Sequence, residues 1–265
     1  MSVRKKRIVV KVGTSTLTNE LGNSDLRTMD KLAQILSDIQ NMGNEVVLVS
    51  SGAIAVGANK LNMKEKPTSL REKQAAAAVG QSENMFLYDK FFGFYSKTVA
   101  QILFNSDDIN QEEKKENLTN TFETLLEMGI IPIVNENDSV SYTEIESHDK
   151  LFSDNDVLSA IVAILCKADM LVILSDIDGF FDSDPRLHKD AQLISRIDTI
   201  DDETYALAGG AGSRRGTGGM RTKLQAAELA TSQGIDTLVT NGQRPEALYD
   251  IVDGKKVGTL FAARK

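Results

Sequence analysis

Residues 7–13, RIVVKVG, and residues 45–52, EVVLVSSG, constrain this chain more than any other feature. Both are bursts of β-branched and aliphatic residues that stop abruptly on small ones. Near-continuous apolar runs of this kind belong to strands buried on both faces, the setting of a parallel sheet with helices above and below. Between them Leu26, Met29, Leu32, Ala33, Leu36 and Ile39 recur every three or four positions, with Ser24 as the expected cap and Gly43 as the stop. Strand, helix, strand makes a parallel βαβ unit. The alternation continues through the helix LREKQAAAAVGQSENMFLYDKFFGFY, the strand TVAQILF, the helix NLTNTFETLLEMG and the strand IIPIVNEND. After the polar stretch VSYTEIESHDKLFSD come the helix NDVLSAIVAILCKAD and the strand MLVILSDIDG, then the helix KLQAAELATSQG, the strand DTLVTNG, the helix RPEALYDIVDG and the short strand GTLFA. The expected class is α/β with a mostly parallel, open sheet.

A chain of 265 residues has room for one large α/β domain or two lobes sharing a sheet. The natural boundary lies near residues 168–172, where a long helix gives way to a new strand, which divides the chain into lobes 1–170 and 171–265. A net charge of −8 argues against a general nucleic-acid or membrane surface, since both would repel it. The apolar run at the N-terminus is too short for a signal or spanning segment, so a cytoplasmic protein is expected. The single cysteine, Cys166, has no disulfide partner and reads as a buried small hydrophobe.

In open parallel sheets ligands gather beyond the carboxyl ends of the strands. Here those ends read KVGTSTL, SSGAIAVG, NENDSV and SDIDG, rich in Gly, Ser, Asn and Asp. Lys11 alternates with Val10 and Val12 on a strand that should be buried, so its ammonium needs an anionic partner or a route to solvent. Gly13, Thr14 and Ser15 beyond it offer backbone approach and hydroxyls to a phosphate. Gly52 permits a tight turn into a helix whose N–H groups can hold a carboxylate, or serves helix-to-sheet packing alone. Asp138 suits an ammonium, or an Asx turn. Asp154, Asn155 and Asp156 open a helix, where acids also serve as cap and dipole partners. The acid-rich SDIDGFFDSDP lacks the spacing of a calcium loop. His148 and His188 form no metal or triad spacing and read as surface residues, and Lys64, Lys66, Arg71 and Lys73 read as a solvated basic patch.

The stretch GTGGMRTK, residues 216–223, fails both the Walker and the dinucleotide patterns at Arg221. It still closes a glycine-rich loop before an Ala-rich helix, so backbone donors and the positive helix end face whatever sits there. Lys223, read as lying in the first turn of that helix, is misplaced electrostatically unless a polyphosphate binds.

Together VVKVGTSTL, VSSGAIAVG, KQAAAAVGQ, VNENDSV, DNDVLSA, LSDIDGFFDSDPR and GTGGMRTK, in this order, resemble the amino acid kinase family, and within it the branch that phosphorylates the γ-carboxylate of glutamate at the start of proline synthesis. The resemblance spans nearly the whole chain. It implies a three-layer αβα sandwich as a single kinase domain, with glutamate held in the first lobe and nucleotide in the second. It implies that Lys11 contacts ATP phosphates, that Ser51, Asp138 and Asn155 hold glutamate, and that Ser175 and Asp176 belong to the nucleotide site. Thr217, Gly218, Gly219, Met220, Arg221, Thr222 and Lys223 would complete that site, and Asp156 would orient Lys11 and Lys223 around the transferred phosphoryl group. It also implies Mg²⁺ carried on the nucleotide, a dimer or tetramer, and feedback inhibition by proline. Many relatives carry a C-terminal PUA domain; this chain ends at GTLFAARK after the kinase region, so no PUA domain is expected and its roles are not carried over. A labile acyl phosphate product makes hand-off to glutamyl-phosphate reductase an expectation as well. The competing readings are a sibling kinase acting on acetylglutamate, aspartate, carbamate or UMP, and a non-catalytic nucleotide or amino-acid sensor on the same fold.

Overall fold

The computed structural model describes residues 5–19, 22–140, 155–208 and 217–264. His148, Asp154 and the glycine-rich residues 209–216 lie outside that set.

The apolar bursts become the strands β1 (Arg7–Val12), β2 (Glu45–Val49), β3 (Val99–Phe104), β4 (Ile131–Glu136), β5 (Met170–Ser175) and β7 (Asp236–Asn241). With the short β6 (Arg196–Ile197) and β8 (Thr259–Phe261) they form one eight-stranded sheet in the order β3-β4-β2-β1-β5-β7-β8-β6. Neighbours are parallel except β7 and β8. The sheet crosses the boundary at residue 170 without a break, because β1 pairs with β2 on one side and β5 on the other.

Strand alternation sorts the core into two layers. Val9, Val47, Val49 and Ile173 pack with the helices α6 (Glu112–Glu127), α7 (Asn155–Leu165), α8 (Asp202–Ala208) and α9 (Thr217–Ser232). Ile8, Val10, Val12 and Leu48 pack with α2 (Leu26–Asn41), α4 (Leu70–Phe94) and α10 (Ala247–Val252). This is the three-layer αβα sandwich. Cys166 is buried in the first layer, where burial pushes its thiol up to about 12. Among the described residues no helix is long and apolar enough to cross a membrane.

Three local expectations need correction. Ser24 is not the cap of α2: its backbone bridges to Thr18, and Asp25 takes the role, its carboxylate accepting from the Thr28 N–H at 3.1 Å. The last long helix starts at Thr217, so most of GTGGMRTK is helix rather than loop. Lys223 therefore sits in the second turn, away from the orphan N–H groups. The helix expected in RPEALYDIVDG is only α10, Ala247–Val252. Four short elements went unread: α1 (Thr14–Leu17), α5 (Ser106–Asn110), α8 and β6.

The helix layers set where crevices open. The chain leaves β2 and β1 toward the α2/α4 layer but leaves β4 and β5 toward the α7/α9 layer. Adjacent strands whose connections part to opposite faces leave a gap beyond their carboxyl ends. Such gaps lie between β4 and β2, between β1 and β5 and between β5 and β7, and the first two flank the ends of β2 and β1.

One contact decides the shape of the first gap. After β2, Gly52 takes a left-handed φ of +89° and leads into α3 (Ala53–Lys60), which packs directly on α4. A Cβ on Gly57 would lie 1.7 Å from the Ala76 carbonyl oxygen, and one on Gly80 would lie 1.8 Å from that of Ala53. Only glycine at both positions permits this approach. α4 itself is started by a capping box between Ser69 and Glu72.

Candidate active site

Lys11 shares the strand face of Val9, so alternation sends its side chain toward α7 and α9. There its ammonium meets Asp156, in the first turn of α7, at 2.6 Å from Oδ1. Lys223, from α9, reaches the other carboxylate oxygen at 3.0 Å and donates to the Gly219 carbonyl one turn back, also at 3.0 Å. The Thr222 hydroxyl lies 3.1 Å from Asp156 Oδ2. The three charged side chains are 8%, 2% and 10% exposed for Lys11, Asp156 and Lys223.

Among the described residues, two cations and one anion leave a surplus of one positive charge in a nearly dry place. Burial works against the Asp156 carboxylate, but the two ammonium groups outweigh it and hold its pKa below the usual carboxylate range. A buried surplus charge is costly unless a counter-ion completes it, so the arrangement is suited to an anionic ligand.

Beside this triad lies a cleft of about 990 Å³ that opens over the gap between β4 and β2. Lys11, Ser51, Gly52, Asp138 and Asn155 all line it. Asn155, which opens α7, places its amide nitrogen 2.7 Å from Ser51 Oγ, 3.0 Å from the Ser50 carbonyl and 3.1 Å from Asn135 Oδ1. Ser50 in turn pairs with the fully buried Tyr88 hydroxyl at 2.8 Å. Lys64 and Lys66, read as a solvated patch, are exposed but also line the cleft.

On the other side of the triad, β5 runs level with β1, Val12 pairing with Leu174. Ser175 is buried and its hydroxyl donates to the exposed Asp176 at 3.1 Å. Arg221 and Gly219 face solvent, whereas Met220 packs against the core beneath α9. The backbone of Thr217 and Gly218 forms the start of α9. His188 is exposed.

The amino acid kinase family profile matches residues 6–241, which includes the triad, both crevices and seven of the eight strands. The chain belongs to the amino acid kinase family. Among its relatives, glutamate 5-kinase of Clostridium perfringens is 58% identical over 98% of this chain and 96% of its own length. That of Listeria innocua is 54% identical over 98% and 94%, and that of Enterococcus faecalis 52% over 97% and 94%. Among solved structures, the isopentenyl phosphate kinase of T. acidophilum superposes with a TM-score of 0.65 at 17% identity, covering 96% of this chain and 99% of that one. The UMP kinase of Bacillus anthracis gives 0.61 at 19%, covering 98% and 97%. These two share the fold with this family member.

Sequence reading missed Asn135 and Gln81. Asn135 continues the inward alternation of Ile131 and Ile133, so an amide among buried apolar positions was the available signal. Its side-chain NH₂ donates to Gln81 Oε1, on α4, at 3.0 Å. Nothing local to Gln81 marks that role.

Proposed function

We propose that this kinase transfers the γ-phosphoryl group of ATP to the γ-carboxylate of L-glutamate, giving L-glutamyl 5-phosphate, the first step of proline biosynthesis. The observation that carries the reading is the buried Asp156 carboxylate gripped by Lys11 and Lys223 at the junction of the two crevices. The glutamate 5-kinases at 52–58% identity support glutamate as the acceptor.

The chemistry follows from charge. A glutamate side chain has an unperturbed pKa of about 4.3, so it is a nucleophile at neutral pH without a general base. The obstacle is bringing two anions together and stabilising the oxygens of the group in flight. At an effective dielectric of about 20 a single charge pair at about 4 Å is worth roughly 4 kcal/mol, so two lysines are a large part of the stabilisation. Lys11 and Lys223 contact the transferring phosphoryl, and Asp156 positions them rather than acting as a base.

Glutamate occupies the cleft with Asp138 and Asn155 near its ammonium and Ser51 near a carboxylate. ATP occupies the β1/β5 crevice against Ser175, Asp176 and the segment from Thr217 through Gly218, Gly219, Met220, Arg221 and Thr222 to Lys223. Mg²⁺ carried on the nucleotide bound by Ser175, Asp176 and the Thr217–Lys223 segment would supply neutralisation of the phosphate charge. Residues 1–170 act as the glutamate lobe and 171–265 as the nucleotide lobe of one domain. A cytoplasmic homo-oligomer, dimer or tetramer, inhibited by proline and passing its labile product to glutamyl-phosphate reductase, completes the reading.

Hydroxamate trapping with ATP tests it directly. Glutamate should yield acyl hydroxamate, and N-acetylglutamate and aspartate little; preference for acetylglutamate would overturn the assignment, and no turnover on any acid would favour a sensor.

A further inference from the structure

The stretch KQAAAAVGQ, residues 73–81, has no chemical part in the reaction as described. It forms the face of α4 against α3, where Ala76, Ala77 and Gly80 are buried and Gly80 leaves no room for a Cβ beside the Ala53 carbonyl. That close approach sets the depth of the next residue, Gln81, whose side-chain oxygen accepts from Asn135 Nδ2 at 3.0 Å.

These contacts share one direction, anchored by the Ser50 carbonyl, which can only accept from Asn155 Nδ2 at 3.0 Å. With its NH₂ turned to Gln81, Asn135, 2% exposed, presents its carbonyl oxygen to Asn155 Nδ2 at 3.1 Å. The Asn155 nitrogen is then taken up by Asn135, Ser51 Oγ and the Ser50 carbonyl. Ser51 Oγ accepts in that contact, so its hydroxyl hydrogen is left to donate to a ligand, and Asn155 Oδ1 is left to accept. A carboxylate needs the first and an ammonium the second. Gln81 does not line the 990 Å³ cleft; it lines an adjoining recess of about 390 Å³ that shares Ala53, Glu136 and Asp138 with it.

We infer that Gln81 is a positioning residue that holds Asn135 in the orientation the Ser50 carbonyl dictates, and so steadies the donor and acceptor polarity of the amino-acid site, without touching the substrate. The inference rests on the proposed glutamate kinase activity. Its test is steady-state kinetics on the full chain, wild type, Gln81→Met and Gln81→Glu, varying glutamate and ATP in turn, with Tm measured for each.

Gln81→Met removes the acceptor and leaves a buried amide unpaired, so KM for glutamate should rise about tenfold while KM for ATP stays within about twofold. Gln81→Glu should bring the glutamate KM back to within about threefold of wild type, because an ionised carboxylate can only accept from Asn135. Should Gln81→Met prove insoluble, Gln81→Asn, which retracts the amide by one methylene, reads the same split. An unchanged glutamate KM, equal changes in both KM values, or Gln81→Glu behaving no better than Gln81→Met would each overturn the inference while leaving the glutamate reading standing. An inactive wild type would remove both.

Discussion

Replacing Asp156 by Asn tests the core of the site, because it deletes one charge and almost no volume. The carboxylate oxygens lie 2.6 Å from Lys11 Nζ and 3.0 Å from Lys223 Nζ, and Asp156 is 1% exposed. At an effective dielectric of about 20 each contact carries roughly 5 to 6 kcal/mol of attraction, much of it offset by the desolvation of three charges. Deleting only the shared partner removes the attraction and keeps the desolvation of two ammonium groups, which typically costs about 3 to 5 kcal/mol. For a chain of this size, 1 kcal/mol moves Tm by about 2 to 4 °C, so Asp156→Asn should melt roughly 6 to 20 °C below wild type. Because the two bare cations then await an anion, added ADP or pyrophosphate should raise the Tm of the variant more than that of the wild type. The sign of the pH dependence follows from the lowered folded-state pKa of Asp156. Its contribution is complete above the unfolded value of about 3.9 and is lost only as pH falls through the folded one, so acidifying to about pH 5 should not erase the difference. Differential scanning fluorimetry with and without nucleotide reads all three effects. A variant melting within about 2 °C of wild type at neutral pH would show that the carboxylate does not hold the lysines.

Lys223→Ala removes one cation from the group in flight, and kcat should fall by about 10² to 10³ while KM for glutamate stays within about threefold; unchanged turnover in a coupled ADP-release assay would remove Lys223 from the reaction. Gly80→Ala places a methyl 1.8 Å from the Ala53 carbonyl oxygen, so α3 and α4 must part, at a cost of about 1 to 3 kcal/mol or more and with weaker glutamate affinity. The control sits in the same helix: a Cβ on Gly93 meets nothing within 4 Å, and Gly93→Ala should leave Tm level or raise it by gaining up to about 1 kcal/mol of helix propensity. Equal Tm values for the two variants would refute the close-packing account.

The strands were legible because burial on both faces writes itself into consecutive residues: Val9, Val10, Val47, Leu48, Leu171 and Val172 are all fully buried. Lys11 stood out against that background for the same reason. What alternation alone could not say is what answers its charge, because Asp156 is contributed by a different element, α7, and Lys223 by a third, α9. The start of α9 was misread on propensity, since glycines weaken helices in isolation. In the folded chain Leu224, Ala226, Ala227 and Ala230 bury the helix in the core beside α7, and the Gly219 carbonyl accepts from Lys223 Nζ. Tertiary contact outweighs a few unfavourable residues. That correction changes the chemistry assigned to the segment. With Lys223 in the second turn, its charge is held by Asp156 and a backbone carbonyl instead of opposing a helix N-terminus, so the segment needs no ligand to be stable. The need for an anion comes from the count of charges around Asp156 among the described residues, two against one, and that count exists only after three distant elements have met.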